Sequence, residues 1–286
     1  MKPLPINLAA LVLSALLAAG RALAHGNDFE MVVSLTLEIA QNPKEPGLLL
    51  ERAEVYRTHG DLETARRDLA TALEIQPDFH PARVRLALLA RDQGRLDESL
   101  QLLNAVVQAQ PAQPLALSVR SEVLRRLKRH PEAVADLDAI LAIPGIEPIP
   151  QLYLDKARSQ LEAPSPNTNA ILADLDKGIA RMGPVTSLLL MALDLEEQSG
   201  CIDAALARLD SLAKDSPRKE RWLERRGDIL ARAGRKPEAI KAFSDAMAAI
   251  DALPDRQRLT VATTELRAAI ESKLGSLGPN PKPAQP

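Results

Sequence analysis

Three arginines, Arg57, Arg91 and Arg125, recur at intervals of 34 residues. A guanidinium fork can hold two carboxylate oxygens at once, so a row of them would grip carboxylates or carbonyls of another molecule. Groups that could make or break bonds are poorly supplied. The four histidines, His25, His59, His80 and His130, show no i, i+4 pairing, and a zinc or catalytic site needs several converging ligands. His25 would need a second fixed histidine to hold copper, and none stands nearby in sequence. Cys201, the single cysteine, has no neighbouring histidine to serve as its base. Glu196 and Glu197 read as solvated residues of a helix face, and there is no glycine-rich phosphate loop. The expectation is a protein that binds, with no catalytic residue, no metal and no cofactor.

The arginines must be carried by helices. Hydrophobic residues make up 46% of the 286-residue chain but aromatics only 2%, so Ala and Leu dominate the apolar content. That mixture favours helices with thin packing layers, and β-branched or aromatic runs typical of strands are scarce. One cysteine cannot staple a small fold, so the chain must be held by burial, for which its length is ample.

The N-terminus reads as an export leader. Lys2 is followed by an apolar run from Leu8 to Gly20, then by Ala22-Leu23-Ala24, with small residues where a signal peptidase reads. The run is short for a hydrocarbon core of ~30 Å. Cleavage after Ala24 is expected, which places the mature chain in the periplasm or outside the cell with no stable membrane insertion. Losing Lys2 and Arg21 leaves 34 basic residues against 38 acidic, a net charge of −4. A nucleic-acid binder needs a clustered basic surface, so nucleic acid is not an expected partner.

The 34-residue interval is not confined to arginine. Gly60 and Gly94, Pro77 and Pro111, and Gly200 and Gly234 share it. Six units follow, beginning near Leu48, His80, Pro114, Pro150, Thr186 and Glu220, each a helix, a short turn and a second helix. A small residue stands in the first helix (Ala53, Ala87, Ser121, Ala157, Gly227) and another opens the second (Ala65, Ser99, Ala133, Ala205, Ala239). A large apolar residue comes four places later: Leu69, Leu103, Leu137, Leu209 and Phe243. This pattern resembles the tetratricopeptide repeat family over roughly residues 44 to 253. Lys128 replaces the usual turn glycine, Ala163-Pro164-Ser165-Pro166 forms the turn of the fourth unit, and Leu193 takes a small-residue place.

The expected fold is an all-α, right-handed solenoid of helix-turn-helix repeats. Its divisions are a leader (1–24), an N-terminal capping helix (25–43), six helix pairs (44–253), a C-terminal capping helix (254–275) and a proline-rich disordered tail (276–286). The resemblance implies that the first helix of each unit lines a concave groove that holds a partner protein or peptide. The groove residues it picks out are Glu54, Arg57, Leu88, Arg91, Glu122, Arg125, Arg158 and Asp194. Arg57, Arg91 and Arg125 would form a basic ridge; alternatively, Glu54–Arg57 and Glu122–Arg125 pair at i, i+3 and stay wet. The Lys and Asn set by which one subfamily holds chaperone C-termini is missing, since Leu50 and Glu54 stand at matching places. A second reading is self-association through helix ends or Cys201, and a third is an enzyme of unrecognised type, which would need a compact pocket with converging polar residues.

Overall fold

A computed structural model describes residues 26–214 and 216–278, and all regular structure among them is helical. The expected leader, its cleavage point, His25 and the tail beyond Gly278 lie outside the described residues. The chain divides into two compact units, one ending at Ile146 and one beginning at Glu147.

In the first unit, helix α1 (Gly26–Gln41) precedes three hairpins: α2 (Pro46–Thr58) with α3 (Leu62–Ile75), α4 (His80–Asp92) with α5 (Leu96–Ala109), and α6 (Pro114–Arg126) with α7 (His130–Leu141). Each helix packs on the next in chain order. The first helices, α2, α4 and α6, also touch one another in sequence, whereas the second helices do not approach each other as closely. In the second unit the hairpins are α8 (Pro150–Leu161) with α9 (Thr168–Met182), α10 (Thr186–Gln198) with α11 (Ile202–Lys214), and α12 (Glu220–Arg232) with α13 (Lys236–Asp251). A short α14 (Asp255–Arg258) and α15 (Val261–Leu277) follow, with α15 packed on α13. The single capping helix expected over residues 254–275 is thus broken. Thr260 has extended backbone, and its hydroxyl accepts from the Thr263 N–H, restarting the helix as an N-cap does. The last helix also reaches Leu277, two residues beyond the expected boundary.

The turns inside five of the six hairpins, all but the fourth, share one chemistry. After α2, the N–H of Asp61 bonds the Tyr56 carbonyl at 2.9 Å, and Gly60 between them has φ +82°. The same six-residue closure recurs from Arg95 to Ala90, Arg129 to Leu124, Cys201 to Glu196 and Arg235 to Leu230. It satisfies carbonyls left open at a helix end, but it needs one residue in the left-handed region, where only glycine is free of a Cβ penalty. Lys128 fills that place after α6 with φ +61°.

Close approach of the two helices is set by the small residues. Ala53, Ala65, Ala87, Ser99, Ala133, Ala205 and Ala239 are buried, and Leu69, Leu103, Leu137, Leu209 and Phe243 fill the space beside them. Ser99 donates to the Ala87 carbonyl at 2.7 Å across this contact. A Cβ on Gly227 would lie 2.5 Å from the Phe243 ring, so only glycine allows that crossing. The fourth hairpin reaches the same end with the roles exchanged. A Cβ on Gly178, in its second helix, would lie 2.9 Å from Tyr153 in its first.

A charged clamp recurs beside this core. Arg52 of α2 donates from Nε (2.8 Å) and Nη2 (2.7 Å) to Asp68 of α3, and from Nη1 (3.0 Å) back to Thr36 of α1. Arg120 of α6 does the same to Asp136 of α7 (2.8 and 2.6 Å) and to Asn104 of α5 (3.0 Å). Both carboxylates are buried. In the hairpin between, the matching places hold Leu86 and Leu102, which pack against the core clusters.

Two stability outcomes follow from this packing. Lys128→Gly removes a left-handed strain of about 1 kcal/mol, and thermal unfolding should shift upward by roughly 2–4 °C. Asp68→Ala strands the Arg52 charge and should cost about 2–4 kcal/mol in denaturant unfolding. The double change Arg52→Leu with Asp68→Leu, which copies the middle hairpin, should recover most of that loss.

Candidate functional site

Because α2, α4 and α6 touch each other more closely than their partners do, they lie on the inside of the bend of the first unit. Their shared outer surface carries the periodic arginines at one register, and those arginines are interlaced with acids. Arg57 holds Glu54 through two bonds of 3.1 and 2.7 Å. Arg85 approaches the same carboxylate at 3.4 Å, and Asp92 lies 3.7 Å from Arg57. Arg91 holds Asp92 through two bonds and reaches Glu122 on the next first helix at 2.7 Å. Arg126 closes on Glu122 from the other side. The result is an alternating ladder across three helices in place of a uniformly basic ridge. The Arg57 bonds hold the Glu54 carboxyl below its ordinary range; burial opposes this, and Arg85 adds to it.

The other expected groove residues are distributed as follows. Arg125 is half-buried on α6 beside Glu122. Leu88 is only 8% exposed and packs in the core, so it offers no surface to a guest; its register turns it toward α5 and α6. Leu115, two turns before Glu122 on the same face of α6, is 42% exposed and is the open apolar side chain there. In the second unit Arg158 pairs within α8 with Asp155 at 3.1 Å, and Asp194 of α10 pairs with Arg225 of α12.

Arg225, the partner of Asp194, lines a feature that periodicity did not disclose. A cleft of about 780 Å³ lies along α12, between the end of α10 and the start of α15. Trp222, Ala262 and Leu266 give it an apolar surface. Its charged rim is heavily cross-linked: Glu197 takes Arg225 (2.8 Å) and Arg232 (2.7 Å), and Arg218 bonds Glu220 and the Thr263 hydroxyl. Lys273 of α15 holds Glu224 (2.8 Å) and Asp228 (2.7 Å) and sits 5.7 Å above the Phe243 ring. Burial works against the Lys273 charge, but the two carboxylates outweigh it and raise the pKa above its ordinary value. Among the described residues no group of three or more His, Cys, Asp or Glu could hold a metal ion, and no helix is long and apolar enough to cross a membrane. Cys201 is exposed, and His59 bonds Asp28 of α1 at 2.8 Å.

Comparison with known proteins agrees with this architecture. The tetratricopeptide repeat profile matches residues 50–114 and 84–145, and the tetratricopeptide repeat-like domain profile matches residues 154–278. The chain belongs to the tetratricopeptide repeat family. Among solved structures it is similar to the C-terminal part of a repeat protein from Cytophaga hutchinsonii (TM-score 0.62, 12% identity, 89% of this chain and 98% of that one). It is also similar to PilF of Pseudomonas aeruginosa (0.53, 15%, 80% and 99%) and to a repeat protein from Parabacteroides merdae (0.51, 18%, 93% and 100%). At these identities the likeness is one of fold. No curated protein matches. Membership of the family supports a role in holding other proteins, and the family is generally non-catalytic.

The ladder makes a pH prediction. With its pKa lowered, Glu54 contributes stability that is fully present above its unfolded-state pKa and is lost as pH falls from there through the lowered folded-state value. A carbon-13 NMR titration should place Glu54 below the ordinary glutamate range, and Arg57→Ala should move it back toward that range.

Proposed function

We propose that this chain is a non-catalytic scaffold of the cell envelope that holds a partner protein along the first-helix surface of its repeats. The observation that carries this reading is the ladder Arg85–Glu54–Arg57–Asp92–Arg91–Glu122–Arg126, half open to water and continuous over three helices. Every rung is a hydrogen-bonding group held in place by its neighbour, so the surface is organised before a guest arrives. A guest with its own alternating charges could exchange partners with the ladder while its apolar side chains meet Leu115. Such a surface is long and shallow, and its affinity would come from a few anchors. The envelope location rests on the leader pattern of Lys2, the apolar run from Leu8 to Gly20, and Ala22-Leu23-Ala24.

Photo-cross-linking in cells tests both parts. A photoreactive residue replacing Leu115 should trap a second protein in the envelope fraction, whereas one replacing Arg66 on the exposed side of α3 should not. Changing Arg57, Arg91 and Arg125 together to Ala should cut the Leu115 adduct by about tenfold. Adducts from Arg66 alone, adducts found only in the cytoplasmic fraction, or an unchanged yield in the triple variant would defeat the reading. An adduct of two copies of this chain would favour self-association instead.

A further inference from the structure

We propose that the cleft along α12 takes an extended segment of the partner protein that presents an apolar side chain and, close to it, an aspartate or glutamate. This rests on the scaffold reading and specifies the guest of one site within it. The first observation is the state of the charges. Arg218, Arg225 and Arg232 are each bonded to a carboxylate, and Glu224 and Asp228 are taken by Lys273. Arg221 also lines the cleft and is exposed, yet it makes no ion pair or hydrogen bond among the described residues. Recruiting any of the other arginines would break an existing pair. Among the described residues of the cleft, Arg221 alone can receive a new carboxylate without losing one.

The second observation is apolar. Trp222, the only tryptophan of the chain, adjoins Arg221 and lines the same cleft. It is half-buried: it packs against the core cluster of the second unit while part of it stays open. Ala262 and Leu266 of α15 complete the apolar lining. Leu259 and Val261, immediately before Ala262, are 71% and 73% exposed. Large apolar side chains left in water beside a polar-rimmed cleft mark a surface that is covered in use. Tryptophan and arginine are both enriched at the energetic centres of protein interfaces.

Size and geometry narrow the guest. About 780 Å³ lies within the range of 300–1,000 Å³ that encloses a ligand of drug size, which corresponds to a few peptide residues. A chain terminus is captured by several converging donors, whether backbone N–H groups or a side-chain set. A single unengaged fork instead matches one side-chain carboxylate held by two parallel N–H bonds.

The test uses a random hexapeptide library flanked by glycines on both sides, so that no terminal carboxylate is presented, panned on the full chain. Enriched peptides should carry an apolar residue together with an acid. Their titration should change the emission of Trp222 to saturation. Arg221→Glu should weaken them by about tenfold or more, and Arg221→Lys by less. Replacing the peptide acid by glutamine should cause a similar loss on the native chain and no further loss on the Arg221→Glu variant. The proposal is overturned if enriched peptides lack an acid, bind the Arg221→Glu variant unchanged, or leave Trp222 emission unaltered. It is equally overturned if nothing is enriched, or if only peptides with free C-termini bind. In each of those cases, Leu115 adducts that persist would leave the scaffold reading standing, and their absence would remove both.

Discussion

Everything in this molecule depends on how near two helices of a hairpin can come. Alanine, serine or glycine at the crossing lets the backbones approach, and each approach creates the slot that a leucine or phenylalanine then fills. A single hairpin gains too little from this to stand alone, because its outer faces remain apolar. Stacking covers those faces, so the unit of stability is the neighbour contact. The fully buried Leu69, Leu103, Leu137 and Leu209 are the points at which a lost methyl group would be felt most.

The charged groups obey a different rule in each place. Beside the core, Arg52 and Arg120 each join three helices, and their acids are buried, so removing one partner leaves a charge in a poor solvent. On the first-helix surface the same residue type is paired in the open, where each pair contributes little to stability. What such pairs provide is order, because a tethered arginine presents its fork in one direction. Organised polar surfaces of this kind suit a protein whose work is recognition.

Much of this was legible from the residues. The interval shared by Gly60, Gly94, Pro77 and Pro111 placed the repeats, and helices begin at His80, Pro114, Pro150, Thr186 and Glu220, where the units were read to start. The ridge was read only halfway. Arg57 and Glu54 are visible as i, i+3 neighbours, but Asp92 and Glu122 reach Arg57 and Arg91 from adjoining helices, and that distance is set by packing. Tyr153 against Gly178 was missed because the proline turn of the fourth hairpin shifts its second helix out of the common register. The cleft was missed because Arg221, Trp222 and Leu266 are joined by the return of α15, which no interval announces. One available signal went unused: Arg52 and Asp68 reappear as Arg120 and Asp136, each pair 16 residues apart, at twice the repeat length.

That doubled interval has a consequence for how such a chain can grow. The polar sets Thr36–Arg52–Asp68 and Asn104–Arg120–Asp136 flank an apolar set, Ala70–Leu86–Leu102, at the same register. Excising the middle hairpin would bring Arg120 beside Ala70, where its third bond has no acceptor. Excising two hairpins would bring it beside Thr36, which already serves Arg52 in that way. Within the first unit the contact chemistry thus repeats every two hairpins, a parity that a count of its repeats would not reveal.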